Sequence, residues 1–490
     1  MAGRGPTSVF KGAILTVSMR WTDRLIGFVS TLILARLLVP ADFGIIAMAS
    51  LVVGLVDVLL ALGVNVALIQ NRNAEQAHYD TAWTLRLMQS AVAAAIVFLI
   101  APRAALYFND PRIVPVLRFM SISMLLVGLE NIGIITFQKE MRFGMDFRFV
   151  FIKRLAGFLT TIAAAWFLRS YWALVIGTLA GRSIGVLLSY QMHPMRPRFS
   201  LEKMKEIFSV SQWMLVNSIG NYLNRNLDKM LVGRRASATI MGGYTLGDEI
   251  SSMPSTEVLA PLNRVLFPTF VKAKHDLGEL KRLYLLAQGV QSILGISAGV
   301  GLALVAHEAV LLMLGEKWLF VVPFVQTLAL ANVVESITTS GGYVLITMGK
   351  IRSAALIQWL QVIFFVTVAM LAWPDADALH IAMLRVLTVL TGLFASVWIL
   401  LRTLHNVSVL DIIRSVLRPL LATAVMALAV ISIGEVIQLP PLAALLVKIV
   451  TGLLAFPTTL MLLWWVSGKP MGAESYLLEK ILATLDRRKT

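Results

Sequence analysis

Residues 33–49, ILARLLVPADFGIIAMA, leave one apolar helix through a turn marked by Pro40 and Asp42 and enter a second helix near Gly44. Residues 228–247, DKMLVGRRASATIMGGYTLG, follow the same course: an apolar exit, a short polar turn, and a new helix start marked by Gly242. Glycine and proline punctuate helix ends in both places. Gly44 and Gly242 stand about 198 residues apart, which predicts an internal repeat. A repeat of six helices begins and ends on one side of a membrane, so two copies would be parallel repeats related about the membrane normal.

Composition places those helices in lipid. The chain has 490 residues, 58% of them hydrophobic and only 14% charged, and its mean hydropathy is +0.79. No water-facing surface can be built around so little polarity. A membrane span needs about 20 apolar residues. Such stretches lie at 12–37, 44–66, 80–101, 113–134, 147–168, 171–190, 209–232, 240–265, 283–306, 319–342, 350–373, 379–401, 416–437 and 442–466. The expected fold is therefore an all-α polytopic membrane protein of about fourteen transmembrane helices. The seventh and eighth stretches are the most polar. The expected division is an N-lobe over 1–190, a linker over 191–208, a C-lobe over 209–401, two additional helices over 402–466 and a tail over 467–490.

With the N-terminus cytoplasmic, most Lys and Arg fall in inner segments. These include Lys139 to Arg154, Arg196 to Lys205, Lys272 to Arg282, and the tail residues Arg487, Arg488 and Lys489. That asymmetry supports an even number of spans with both termini inside. It also accounts for most of the formal charge of +16 and argues against nucleic acid as a partner. The first apolar run contains Arg20, Asp23 and Arg24 and lacks a small-residue cleavage site, so it reads as a span and not a removable signal. Cysteine is absent, which removes disulfides, thiolate metal sites and cysteine nucleophiles. The histidines, His193, His275, His307 and His405 among them, have no metal-ligand spacing and are expected to be solvated loop residues. Leu201 to Phe208 and Met471 to Leu485 are amphipathic and are expected to lie along the membrane surface.

Charges inside spans are the strongest functional signal, because each costs about 2.5–3.5 kcal/mol at a helix centre and persists only around an internal polar cavity. Arg20, Asp23 and Arg24 share one face of the first helix. On the seventh, Asn217, Asn221, Arg225 and Asp228 form a polar stripe at helical spacing. The eighth adds Asp248, Glu249, Ser252, Thr256, Glu257 and Arg264. Arg118 and Arg385 lie toward the outer ends of the fourth and twelfth. Arginine stays ionised and can hold phosphate oxygens bidentately. Pairing of Arg20 with Asp23, or Arg225 with Asp228, as ties within a helix is the competing reading.

Five segments carry a resemblance. ARLLVPADFGIIAMAS from Ala35, RNLDKMLVGR from Arg225, GGYTLGDEI from Gly242, RVLFPTF from Arg264 and GEKWLFVVPFVQTLAL from Gly315 resemble the polysaccharide-transporter branch of the multidrug/oligosaccharidyl-lipid/polysaccharide (MOP) exporter superfamily, across roughly the first 400 residues. The resemblance implies a MATE-like fold of two six-helix lobes with two C-terminal helices added. It also implies flipping of an undecaprenyl-diphosphate-linked oligosaccharide across a bacterial inner membrane, with polysaccharide polymerase and export machinery as partners. The product would be O-antigen, capsule or exopolysaccharide.

Under that reading Arg20, Arg24, Arg118, Asn217, Asn221, Arg225 and Arg264 are candidate substrate-binding residues. No GxxxxGK[ST] nucleotide loop is present, so no cofactor is expected and a proton or sodium gradient is the expected energy source. Membrane carboxylates can carry such an ion. The candidates are Asp23, Asp57, Asp228, Asp248, Glu249 and Glu335, with Asn332 as a neutral ligand and Asp57, which has no basic neighbour in sequence, as first choice. A drug antiporter of the same fold would have a more acidic and aromatic cavity. A glycan polymerase or ligase would show a sizeable extracytoplasmic loop.

Overall fold

Helix boundaries follow local signals in the chain. The computed structural model describes residues 6–60, 63–71, 73–207, 212–436 and 439–486; at 6–20, 23 and a few other positions within helices it describes the backbone alone. The first helix, α1 (Pro6–Leu37), gives way to α2 (Pro40–Leu59). Pro40 opens α2, where its missing amide costs nothing, and Asp42 accepts the Val39 amide at 3.1 Å as a cap. A short α3 (Val64–Gln70) precedes α4 (Gln76–Phe108), which ends on Asn109 in the left-handed conformation. Then come α5 (Ile113–Leu129) and α6 (Ile135–Lys139), parted by a single 3-10 turn and bent by 64°. The first unit continues through α7 (Phe143–Leu168), α8 (Trp172–Met192) and α9 (Met204–Ile207). In it α7 lies against α1 and α8, and α5 against α2, α4 and α8.

The helix α10 (Gln212–Arg235) and the start of α11 (Ala238–Met253) contribute residues to both compact units: Met1–Tyr222 with Gly233–Gly242, and Leu223–Val232 with Gly243–Thr490. Pro254, which falls inside the eighth apolar stretch, opens a π-helical segment, Pro254–Leu259, that separates α11 from α12 (Ala260–Ala273). A residue that cannot donate to the ladder is accommodated by the wider turn. The second unit then runs through α13 (Leu277–Leu304), α14 (Ala306–Met313), α15 (Val322–Thr347), α16 (Ile351–Thr367), α17 (Ala378–Thr403), α18 (Val409–Val436), α19 (Pro441–Val466) and α20 (Ala473–Asp486). Asp276 and Asp377 cap α13 and α17 through the amides of Gly278, Glu279 and His380.

Each of the fourteen apolar stretches coincides with one of these helices or a broken pair. Among the described residues ten helices are long and apolar enough to cross a membrane, eleven if α5 and α6 form one bent span. The other three stretches, α1, α10 and α11–α12, hold most of the polar residues that marked the candidate site. The chain is a multi-pass membrane protein.

The last helices are bound to the second unit by packing and charge. Ala422, Met426 and Val430 of α18 meet Val290 and Ile293 of α13 and Phe456 and Leu460 of α19 in one core. Lys448 of α19 pairs with Glu308 of α14 at 2.6 Å, and Arg418 of α18 with Glu474 of α20 at 3.3 Å.

The linker carries a short helix inside the stretch expected at the membrane surface. Only Met204–Ile207 is helical, and the strand of chain before it is stapled onto the start of α4. The amides of Arg198, Ser200 and Lys203 donate to Asp80, Thr84 and Thr81 at 3.0, 3.0 and 3.2 Å, and His78 meets Glu206 at 3.0 Å. Phe208 and residues 209–211 lie outside the described residues. His193 is not a solvated loop residue. Its ring lies 3.2 Å from the Thr136 hydroxyl, accepts the Met195 amide and rests against Phe137. Burial pulls its pKa below the ordinary histidine range.

Candidate functional site

Polar helices in an apolar chain are where the site must be sought, and α10 is the clearest. Arg225 stands about 20 Å from the first residue of α10, at 1.5 Å per residue. Its side chain is exposed and has no hydrogen bond or ion pair among the described residues. Asp228 does not tie it down. That carboxylate is buried, accepts the Tyr244 hydroxyl at 2.8 Å on Oδ2, and leaves Oδ1 without a partner among the described residues. The intrahelical pairing weighed from the sequence is therefore not made. Asn221 is exposed and Asn217 half-buried on the same face.

Around Asp228 the second unit assembles a charged network. Lys229 pairs with Asp248 of α11 at 2.6 Å. Arg385 of α17 donates to the carbonyl and side-chain oxygens of Asn224 and lies 4.0 Å from Glu335 of α15. Asn224 in turn donates to Gln361 of α16 at 2.8 Å. Three of the proposed ion-coupling carboxylates, Asp228, Asp248 and Glu335, thus share one neighbourhood with two cations, Lys229 and Arg385. Asn332 is engaged by Ser251 at 3.2 Å. Glu249 is exposed beside this network.

The first unit has a second cluster that the sequence reading did not single out. Glu130, at the break between α5 and α6, is held by Arg86 of α4 at 3.1 Å on one oxygen and by Lys153 of α7 on the other. Its side chain is 5% exposed, against 15% for Arg86 and 21% for Lys153. Gly185 of α8 makes the room, since a Cβ there would lie 2.8 Å from both the Glu130 carboxylate and the Lys153 chain. Arg182, one turn earlier on α8, is within electrostatic reach of Arg86, Lys153 and Asp57. Asp57 of α2 therefore does have a basic neighbour, brought to it by the fold. Lys153 lies in the segment Lys139 to Arg154, read from the sequence as inner and basic, and neither Arg86 nor Arg182 stands out in its apolar run. Only their meeting marks them.

Arg118 sits over the exposed Phe98 ring at 5.1 Å, near the start of α5. Arg264 of α12 and Arg24 of α1 are exposed. The side chains of Arg20 and Asp23 lie outside the described residues. No group of three or more metal-ligating side chains occurs among the described residues.

A multi-pass helical chain that gathers charged clusters within its apolar helices has the build of a membrane transporter. Comparison with known proteins narrows the class. The family of polysaccharide biosynthesis proteins matches residues 33–323. The chain is 24% identical over 398 residues to the lipopolysaccharide biosynthesis protein WzxC of Escherichia coli (strain K12), covering 80% of this chain and 81% of that protein. It is also 24% identical over 410 residues to the succinoglycan biosynthesis transport protein ExoT of Rhizobium meliloti (strain 1021), covering 82% of each. Among solved structures its fold is similar to the lipid II flippase MurJ in an inward closed conformation, with a TM-score of 0.74 at 10% identity over 92% of this chain and 99% of that one. The chain belongs to the polysaccharide biosynthesis protein family.

Proposed function

We propose that this protein is a flippase that carries an undecaprenyl-diphosphate-linked oligosaccharide from the cytoplasmic to the periplasmic leaflet of a bacterial inner membrane, with both its termini cytoplasmic. The product serves O-antigen, capsule or exopolysaccharide synthesis, and a polymerase and export machinery take it onward. Arg225 is the observation that carries this reading. An exposed guanidinium in mid-helix, unpaired among the described residues, is too costly against lipid and suits a wet path for an anionic headgroup. Asn217 and Asn221 beside it offer hydrogen bonds to sugar. Arg20, Arg24 and Arg264 remain further candidates for contact with the headgroup. The relatives, a lipopolysaccharide biosynthesis protein and a succinoglycan transport protein, favour a glycan cargo over a drug and transport over glycan chemistry.

The energy source is an ion gradient in this proposal. Three carboxylates facing two cations leave one negative charge in excess, and the partnerless Oδ1 of Asp228 is a seat for a proton. Protonation and release there, during alternating access, would couple the gradient to the cycle. The test is chemical analysis of lipid-linked oligosaccharide in cells lacking the protein. Accumulation of the repeat unit on the cytoplasmic leaflet, reversed by the wild-type chain and not by Arg225→Ala, is expected. Normal surface polysaccharide without the protein would overturn the proposal.

A further inference from the structure

The cluster at the α5–α6 break is not used by the reading above, and its charges do not balance. Arg86, Lys153 and Arg182 each stand about 15 Å from the first residue of their helices, inside three of the stretches read as spans. One buried carboxylate, Glu130, answers two of them. Arg182 makes no hydrogen bond or ion pair among the described residues and feels Asp57 only at a distance. An excess of cations inside spans is costly unless a further anion visits.

The geometry of Glu130 says what kind of anion. Its two oxygens are gripped separately, one by a guanidinium and one by an ammonium, which is how a phosphate group presents neighbouring oxygens to such donors. The residue also sits where a span is broken by 64°, and broken helices in transporters are found where ligands are handled.

We propose that Arg86, Lys153 and Arg182 form a diphosphate-binding site within the first unit, in which Glu130 occupies the phosphate's place until the substrate arrives. This rests on the flippase reading and adds a resting counter-anion to it. Displaced Glu130 returns when the headgroup leaves, so the cations are never left bare.

The test is binding of farnesyl diphosphate to the purified full chain in detergent, alongside farnesyl monophosphate and inorganic pyrophosphate. Arg182→Gln, which breaks no pair in the resting structure, is expected to weaken farnesyl diphosphate about tenfold with an unchanged melting temperature. Glu130→Gln is expected to tighten it, because a competitor has been removed. A purely structural tie predicts the opposite for Glu130→Gln. Pyrophosphate bound with the same dependence on Arg182 would assign recognition to the diphosphate alone; preference for the farnesyl form would assign part of it to the lipid. Unchanged affinity in Arg182→Gln overturns the proposal, whether or not Glu130→Gln folds. Wild-type flipping rates in Arg182→Gln would likewise remove this site and leave the flippase reading standing. Absence of flipping by the wild type, with intact farnesyl diphosphate binding, would do the reverse.

Discussion

Gly44 and Gly242 lie against each other's helix starts: a Cβ on Gly44 would fall 1.8 Å from the Ala238 carbonyl oxygen, and one on Gly242 would fall 2.0 Å from that of Pro40. The contact is reciprocal. Pro40 and Ala238 are separated by the same interval as the two glycines, the interval at which the sequence predicts a repeat.

Because each obstacle is backbone, neither can be moved aside by a change of rotamer. Gly44→Ala and Gly242→Ala should each destabilise the protein by about 1–3 kcal/mol, read as a fall in melting temperature in detergent. Gly342→Ala is the control. Nothing lies within 4 Å of a Cβ there, and alanine in that helix should be neutral or stabilising by up to ~1 kcal/mol.

Arg385 is expected to be structural in the first instance. Its loss strips a cation from Glu335, Asp228 and the oxygens of Asn224. Removing one partner of a buried charged network costs about 3–5 kcal/mol. Arg385→Gln should therefore lower the melting temperature sharply. Arg264→Gln, at an exposed position, should leave it nearly unchanged.

Arg225 should behave in the opposite way. Arg225→Ala should abolish transport while abundance and melting temperature stay normal, and Arg24→Ala should abolish transport at normal abundance. Retained transport in both variants would remove them from the path.

The linker should respond to acid at defined amides. His193 is held neutral by burial, and its folded pKa is below the unfolded one, so its contribution is complete above the ordinary value of about 6.5 and declines as pH falls below it. Hydrogen bonds from His78 and Lys203 hold Glu206 below the usual carboxylate range, so its contribution fades only as pH falls through that lower value. Hydrogen exchange, corrected for intrinsic rates, should show protection at Met195 falling as pH drops below the ordinary histidine range. Ser200, bonded to the neutral Thr84, should hold.

Periodicity and apolar run length made the helices legible, and Pro254 announced the break between α11 and α12. The charges on α10 were legible because they recur on one face. What the sequence did not carry was long-range pairing. Arg86, Glu130, Lys153 and Arg182 come from four separate segments, and no spacing rule joins them. The linker's attachment was not legible for the same reason: the groups that fix it, Asp80, Thr81 and Thr84, lie more than a hundred residues earlier on α4.

Transfer of a labelled polyprenyl-diphosphate oligosaccharide between leaflets of proteoliposomes, with and without a proton gradient, tests the central claim most directly. Wild-type protein should move the label to the far leaflet, faster with the gradient, and Arg225→Ala should not. Label that stays where it was loaded despite folded wild-type protein and an imposed gradient would contradict the account.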